Sequence, residues 1–217
     1  MKPQPTFIAQ VWHSLKYPFS KCCECIGYRG ESDYLDPNEA CDSITISCPL
    51  DVDELHIIRK TWCPEFTSLS ELSTEIYAEA FSLEPSMKSL FPALSEGTCL
   101  PSNASFLRMS LKLVQTMDYV IRSDLADLET NVPTYLHKLG AFHCKFAKQG
   151  FRYEYWKAME LAMVKATQNK VRQLQYLTPA ERDFALNSWK TLIEFIVSQT
   201  QNGYYANVDG GVKESID

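Results

Sequence analysis

His143 is the residue in this sequence best placed to do chemistry. Leu136, Leu139 and Phe146 fall on the same face of a predicted helix, so the imidazole is expected to lie among apolar side chains. A buried imidazole is neutral and can ligate a metal ion through one ring nitrogen. A lone histidine on an apolar face is more often part of the core, so the surrounding residues decide between the two interpretations.

Aromatic residues and a proline precede His143 in a characteristic order. They are Trp62, Tyr77, Phe81, Pro85 and Phe91, and the motif Leu139-Gly140-x-x-His143 follows them. In order and spacing this set resembles the globins, over about residues 51–203. The stretch from Phe81 to Phe91 resembles neuroglobin-like globins, and the whole pattern is also similar to nematode-type globins.

The resemblance implies an all-α globin fold of six to eight helices around haem b, whose iron is held by one imidazole in an apolar pocket. His143 would be the proximal ligand, and Phe91 the ring that stacks on the porphyrin. Met109 falls where globins usually carry a distal histidine, with Leu113 one turn further along. Tyr77 falls at a position that points into the distal pocket, where its phenol could donate a hydrogen bond to a bound gas.

The distal side leaves alternatives open. No histidine lies on the predicted distal helix, so a second imidazole ligand from that helix is not expected. Met109 is either a thioether ligand of the iron or a flexible apolar side chain that fills space. Tyr77 is either a donor inside the pocket or a helix residue with its hydroxyl in water. A register shift of about one turn would bring Phe106 or Ser110 to the iron instead.

The elements that must position these residues are helices, because helix signals cover the sequence from residue 50 onward. Asp51 with Glu54, and Thr178 with Glu181, have the spacing of capping boxes that open helices. Pro85 suits the first turn of a short helix. The other predicted helices begin near Ser68, follow the apolar stripe from Phe106 to Val120, run from about 133 to 148, and cover 151–171.

These signals divide the chain into three parts. Residues 1–50 form an N-terminal extension, and residues 51–203 form the globin-like domain. Residues 204–217 are expected to be a short disordered tail, since glycines at 203, 210 and 211 weaken a helix there.

The extension carries an apolar helical stripe with lysines beside it and cysteines directly after it. This pattern is typical of a segment that lies on a membrane surface, and acylation of Cys22, Cys23 and Cys25 would strengthen that interaction. A disordered tail and a zinc site are the alternatives. The stripe consists of Ile8, Val11, Trp12, Leu15 and Phe19, and the zinc set would be Cys22, Cys25, Cys41 and Cys48.

The net charge and the cysteine content indicate which partners and which cellular compartment to expect. The net charge of −6 gives little electrostatic support for a nucleic-acid partner. The apolar stretch near the N-terminus is too broken for a secretory signal, so we expect an intracellular, cytoplasmic protein, at the cytoplasmic face of a membrane if it is acylated. Thiols stay reduced there, so the eight cysteines are not a disulfide framework. The oligomeric state stays open.

The expected function is reversible binding of dioxygen or another diatomic gas at five-coordinate ferrous haem, for storage or sensing rather than bulk transport. The alternative is a haem redox enzyme or a redox signalling globin, acting in nitric-oxide dioxygenation, nitrite reduction, peroxidation or electron transfer. No distal histidine is available as an acid or base for peroxide cleavage, which favours gas binding.

Overall fold

Every regular element that the computed structural model describes is helical, and the description covers residues 48–91, 94, 100 and 103–208. Seven α-helices and two 3-10 helices lie in these residues, which confirms the predicted all-α class. The α-helices are α1 (Val52–Thr61), α2 (Phe66–Leu83), α3 (Ala104–Arg122), α4 (Leu125–Glu129), α5 (Asn131–His143), α6 (Tyr153–Gln173) and α7 (Pro179–Val208); the 3-10 helices are Pro85–Leu90 and Cys144–Gln149.

Both predicted capping boxes are present. The backbone N–H of Glu54 donates to Asp51 Oδ1 at 2.8 Å, and the N–H of Asp51 donates to Glu54 Oε2 at 3.0 Å. At the start of α7 the N–H of Glu181 donates to Thr178 Oγ1 at 3.2 Å, and the N–H of Thr178 donates to Glu181 Oε2 at 2.9 Å. Each box satisfies backbone donors that a helix start otherwise leaves without partners. Helix α2 begins at Phe66, slightly before the predicted Ser68.

Helix α7 lies at the centre of the helix packing. It contacts α1, α5 and α6, while α2 contacts α3 and α6. The largest fully buried side chains include Trp189 and Ile193 of α7, Ile76 of α2, and Phe106 and Met117 of α3. The core therefore runs between all these helices, and burial of such side chains is the main stabilising contribution.

The segment around His143 changes helix type. A continuous helix was predicted from about 133 to 148, but α5 runs from Asn131 to His143 and a 3-10 helix follows up to Gln149. Gly150 then adopts a φ of +89°, a left-handed conformation that favours glycine. The predicted interruption between the helices over 133–148 and 151–171 is confirmed, and His143 lies at the junction of two helix types.

The prediction of a disordered tail from residue 204 is wrong for its first residues, because α7 continues to Val208. Tyr204 is buried, and its ring centroid lies 5.2 Å from that of Phe151 and 5.7 Å from that of Trp156. This aromatic packing stabilises the last turns of the helix despite Gly203. Residues 209–217 lie outside the described part of the chain.

Candidate haem site

His143 is held in one tautomer by its own helix. Its Nδ1 lies 2.7 Å from the backbone oxygen of Leu139. Because a carbonyl oxygen can only accept, Nδ1 must carry the proton, and the lone pair therefore resides on Nε2. Burial lowers the pKa of the imidazole, outweighing the opposite effect of the Leu139 hydrogen bond. His143 is thus a neutral imidazole with Nε2 available to a ligated metal.

Aromatic rings surround this imidazole. Its ring centroid lies 5.5 Å from that of Trp156, 6.0 Å from Phe146, 6.1 Å from Phe151 and 6.2 Å from Phe142. Trp156 was not singled out from the sequence, where it is one apolar residue of a long helix. Its indole Nε1 is buried and has no hydrogen-bond partner among the described residues.

The helix that carries His143 is docked on α7 by two glycines. A Cβ on Gly140 would lie 1.9 Å from the backbone oxygen of Thr200, and one on Gly203 would lie 2.1 Å from the backbone oxygen of His137. Neither position can hold a larger residue unless the backbones separate. Nearby, His137 Nε2 lies 3.2 Å from Gln199 Oε1. These contacts between α5 and α7 fix the position of the helix that carries His143.

Cys144 directly follows His143, but its thiol makes a structural contact. Its thiol donates to the backbone oxygen of Tyr204 at 3.2 Å, and burial raises its pKa. A thiol that holds its proton is a poor nucleophile. Through its hydrogen bond to Tyr204, Cys144 joins the 3-10 helix Cys144–Gln149 to α7.

Tyr77 lies at the centre of a second aromatic group, on α2. Its ring is edge-on to Phe91 at 5.7 Å and to Phe106 at 5.5 Å, and it tilts against Phe81 at 5.9 Å. Burial raises the pKa of the phenol, so Tyr77 keeps its proton. The hydroxyl donates to no other described residue, which leaves it available as a donor to a bound molecule.

Phe91 is the end of the segment that Pro85 opens. Its N–H donates to the backbone oxygen of Lys88 at 3.0 Å, which closes the 3-10 helix Pro85–Leu90. Its ring lies 5.3 Å from Phe81 and remains half-buried. The predicted short helix is confirmed, and it delivers an aromatic ring next to Tyr77.

The register of α3 follows from where it crosses α2. The hydroxyls of Ser73 and Ser110 lie 3.2 Å apart, and both serines are fully buried. Small residues at this crossing allow the two backbones to come close. With Ser110 facing α2, the neighbouring stripe of α3 carries Met109 and Leu113, which are half-buried. Their role beside the haem stays a prediction, as does the role of Tyr77.

Helix α3 is held from outside by the end of α1. Trp62 Nε1 donates to Asp118 Oδ1 at 2.7 Å, and Arg59 donates to the backbone oxygens of Ile121 at 2.8 Å and Ser123 at 2.7 Å. Trp189 is buried, and its ring lies 5.6 Å from that of Trp62. These contacts hold α3 in place along its axis, and they therefore also fix the positions of Met109 and Leu113.

The candidate haem-site residues are all partly accessible to solvent. His143, Tyr77, Phe91 and Met109 all keep accessible surface, although each packs against core residues. Together with the neutral imidazole, this set is suited to haem, whose faces are apolar and whose iron takes a histidine ligand.

Comparison with known families decides the relationship. The Globin family model matches residues 74–199, which is more than half of the chain. This chain belongs to the globin family. Among solved structures, the globin is similar to the crystal structure of a hexacoordinated heme protein from an anhydrobiotic tardigrade, with a TM-score of 0.58 and 22% sequence identity. That match covers 73% of this chain and 97% of the tardigrade chain, and it shows a shared fold. No curated protein matches the globin in sequence.

The predictions for the extension fall outside the described residues of the globin. Cys22, Cys23 and Cys25 all lie there, so their acylation stays a prediction. Of the alternative zinc set only Cys48 is described, half-buried and free, and burial raises the pKa of its thiol. In the described ranges no group of three or more metal-binding side chains occurs, and no helix is long and apolar enough to cross a membrane.

Proposed function

We propose that this haem-binding globin holds haem b through His143 and reversibly binds dioxygen or another diatomic gas, for storage or sensing. Two observations carry the proposal: α5 presents a neutral imidazole, and α2 presents a protonated phenol with no hydrogen-bond partner among the described residues. One group can ligate the iron, and the other can donate to a gas on the opposite side.

The proximal half of the proposal rests on the tautomer of His143. Its Nδ1–H is engaged by Leu139 at 2.7 Å, so only Nε2 can reach a metal. A hydrogen bond of this kind fixes the ring orientation and raises the basicity of a metal-ligating imidazole. The surrounding aromatic rings exclude water from the bond.

The b type of haem is bound without covalent bonds, and this sequence lacks the motif that covalent attachment needs. Covalent attachment needs the motif Cys-x-x-Cys-His, and the one Cys-x-x-Cys of this sequence, Cys22 to Cys25, is followed by Ile26. Phe91 would then stack on the porphyrin, and Met109 and Leu113 would line the side opposite His143. When bound, the haem supplies the iron centre at which a small gas binds.

Tyr77 supplies the polar part of the distal side. Its ring is locked by Phe91 and Phe106, so the phenol cannot swing freely. A prepositioned donor costs little conformational entropy when it pairs with a ligand. The hydrogen bond stabilises a gas that carries partial negative charge, as dioxygen does on ferrous haem, and slows its release.

The tardigrade protein is a hexacoordinated haem protein. In this globin α3 carries no histidine, so a sixth ligand from that helix would have to be the thioether of Met109. Methionine is also a common flexible filler of apolar sites, and Met117 on the same helix is buried in that role. We therefore infer five-coordinate ferrous haem with an open gas site.

The experiment is a dioxygen titration of the purified, reduced, haem-loaded globin, followed by visible absorption. We expect the spectrum to change on addition of dioxygen and to return when the gas is removed, over repeated cycles. Immediate conversion to the ferric form, without a reversible intermediate spectrum, would contradict gas storage or sensing and favour the redox alternative.

A further inference from the structure

A continuous series of oxidisable rings leads from His143 to the protein surface. The ring centroid of His143 lies 5.5 Å from that of Trp156, and Trp156 lies 5.7 Å from Tyr204. Tyr204 lies 5.3 Å from Tyr205, and Tyr205 lies 6.4 Å from Tyr153. We name Trp156, Tyr204, Tyr205 and Tyr153 the aromatic relay.

The relay has a buried end and an exposed end. Trp156 and Tyr204 are buried at 7% and 6% exposure, Tyr205 is half-buried, and Tyr153 is 64% exposed. Tryptophan and tyrosine are the aromatic side chains that lose one electron most readily, whereas phenylalanine resists oxidation. Because electron transfer weakens steeply with the gap between ring edges, rings in contact favour transfer in short steps.

Other tyrosines do not share this arrangement. Tyr176 is 58% exposed, close to the exposure of Tyr153, but its hydroxyl donates to the backbone oxygen of Lys60 at 3.0 Å. Its ring joins no aromatic contact among the described residues. Tyr119 and Tyr135 form another ring pair, with centroids 4.8 Å apart.

We propose that the aromatic relay carries oxidising equivalents from the proximal side of the haem site to Tyr153 when hydrogen peroxide reacts with the haem-loaded globin. This activity is a one-electron oxidation of small phenols or thiols at the surface. It is separate from the gas binding proposed above.

The electrons and protons balance as follows. Hydrogen peroxide takes up two electrons and two protons and becomes two water molecules. Both electrons leave Tyr153, one after the other, by way of Tyr205, Tyr204 and Trp156. At each step Tyr153 loses its phenolic proton to water, which its 64% exposure permits. After each step a phenol or thiol returns one hydrogen atom to Tyr153 and is itself oxidised by one electron, so two donor molecules are oxidised for each peroxide.

The test maps oxidation by mass spectrometry after peroxide treatment of the full-length, haem-loaded globin in the presence of a radical trap. We expect trap adducts on Tyr153 or Tyr205 well above those on Tyr176, the equally exposed control within the same molecule. Equal labelling of Tyr153 and Tyr176 would overturn the proposal.

Two substitutions at one position separate relay from packing. Trp156→Phe removes the oxidisable ring, and we expect loss of labelling at Tyr153 and Tyr205 with Tyr176 unchanged. Trp156→Tyr keeps an oxidisable ring and should restore labelling. Equal labelling in the two variants would contradict the relay. Should neither variant retain haem, Tyr204→Phe decides instead: unchanged labelling of Tyr153 in that variant would overturn the proposal.

Discussion

Gly140 of α5 lies so close to Thr200 of α7 that an added Cβ would stand 1.9 Å from the Thr200 backbone oxygen. The same Cβ would lie 2.6 Å from the backbone nitrogen of Tyr204. His143 lies on the turn after Gly140, so the close approach of these two helices determines where the imidazole stands. The packing of Gly140 against α7 thus sets the position of His143.

Gly140→Ala is therefore expected to destabilise the globin. The methyl group meets backbone atoms that cannot rotate away, so α5 must shift, at a cost of about 1–3 kcal/mol for overpacking. Thermal unfolding should show a lower Tm, and haem should dissociate faster because His143 moves with its helix. A Tm equal to that of the unsubstituted protein would contradict the close contact.

Tyr77→Phe tests the distal donor. The ring packing against Phe91 and Phe106 is retained, and only the hydroxyl is lost. A hydrogen bond to a partly charged ligand is worth enough for an increase of about tenfold in the dioxygen dissociation rate. Stopped-flow displacement of dioxygen measures that rate. Tyr135→Phe, on α5, is the control and should leave the rate unchanged. A change in Tyr77→Phe of less than about twofold would remove the donor role.

Met109→Leu tests the coordination number. Leucine has nearly the same volume and no sulfur, so it fills the same space but cannot ligate iron. We expect the ferrous absorption spectrum of this variant to match the five-coordinate spectrum of the parent. A six-coordinate ferrous spectrum in the parent that becomes five-coordinate in Met109→Leu would show thioether ligation.

The helix starts could be predicted from local patterns, and what was missed depends on contacts between distant segments. Pro85 and both capping boxes act within a few residues, so their spacing alone predicts their geometry. The role of His143 in the Leu139-Gly140-x-x-His143 motif was inferred from the resemblance to globins, and it stays a prediction. The end of α7 was predicted too early because Gly203 weakens a helix locally. The helix continues because Gly203 packs closely against the backbone of His137. His137 lies on α5, so no pattern in the sequence around Gly203 indicates this contact.

Trp156 was missed for the same reason. Along α6 it is one of several apolar residues, and nothing in its own segment indicates that it will lie 5.5 Å from His143. The pairing of Ser73 with Ser110 is similar: each is a common helix residue, and only their meeting at 3.2 Å defines the register of α3. Such information lies in the packing of helices and not in their periodicity.

Glu181→Gln tests the start of α7 through its pH dependence. Hydrogen bonds from Lys60 and Thr178 lower the pKa of Glu181 to about 2. In an unfolded chain the pKa is about 4.3, so between these values the unfolded state binds more protons. The stability that Glu181 contributes is therefore present above about pH 4.3 and is lost as the pH falls towards 2.

We expect the Tm of Glu181→Gln to lie below that of the parent at pH 7 and to approach it at pH 3. Glu194→Gln is the matched control, because Glu194 on the same helix forms an exposed ion pair with Lys190 at 3.7 Å. A Tm difference for Glu181→Gln that stays constant between pH 7 and pH 3 would contradict the assignment.

Haem ligation by His143 is tested most directly by visible absorption spectra of the purified globin and of His143→Gly, each with haem and with or without added imidazole. We predict that the parent shows the ferrous spectrum of a histidine-ligated haem. His143→Gly should lose that spectrum and regain it with free imidazole, while His137→Ala on the same helix keeps it. A parent spectrum that persists in His143→Gly without imidazole would show that another residue ligates the iron.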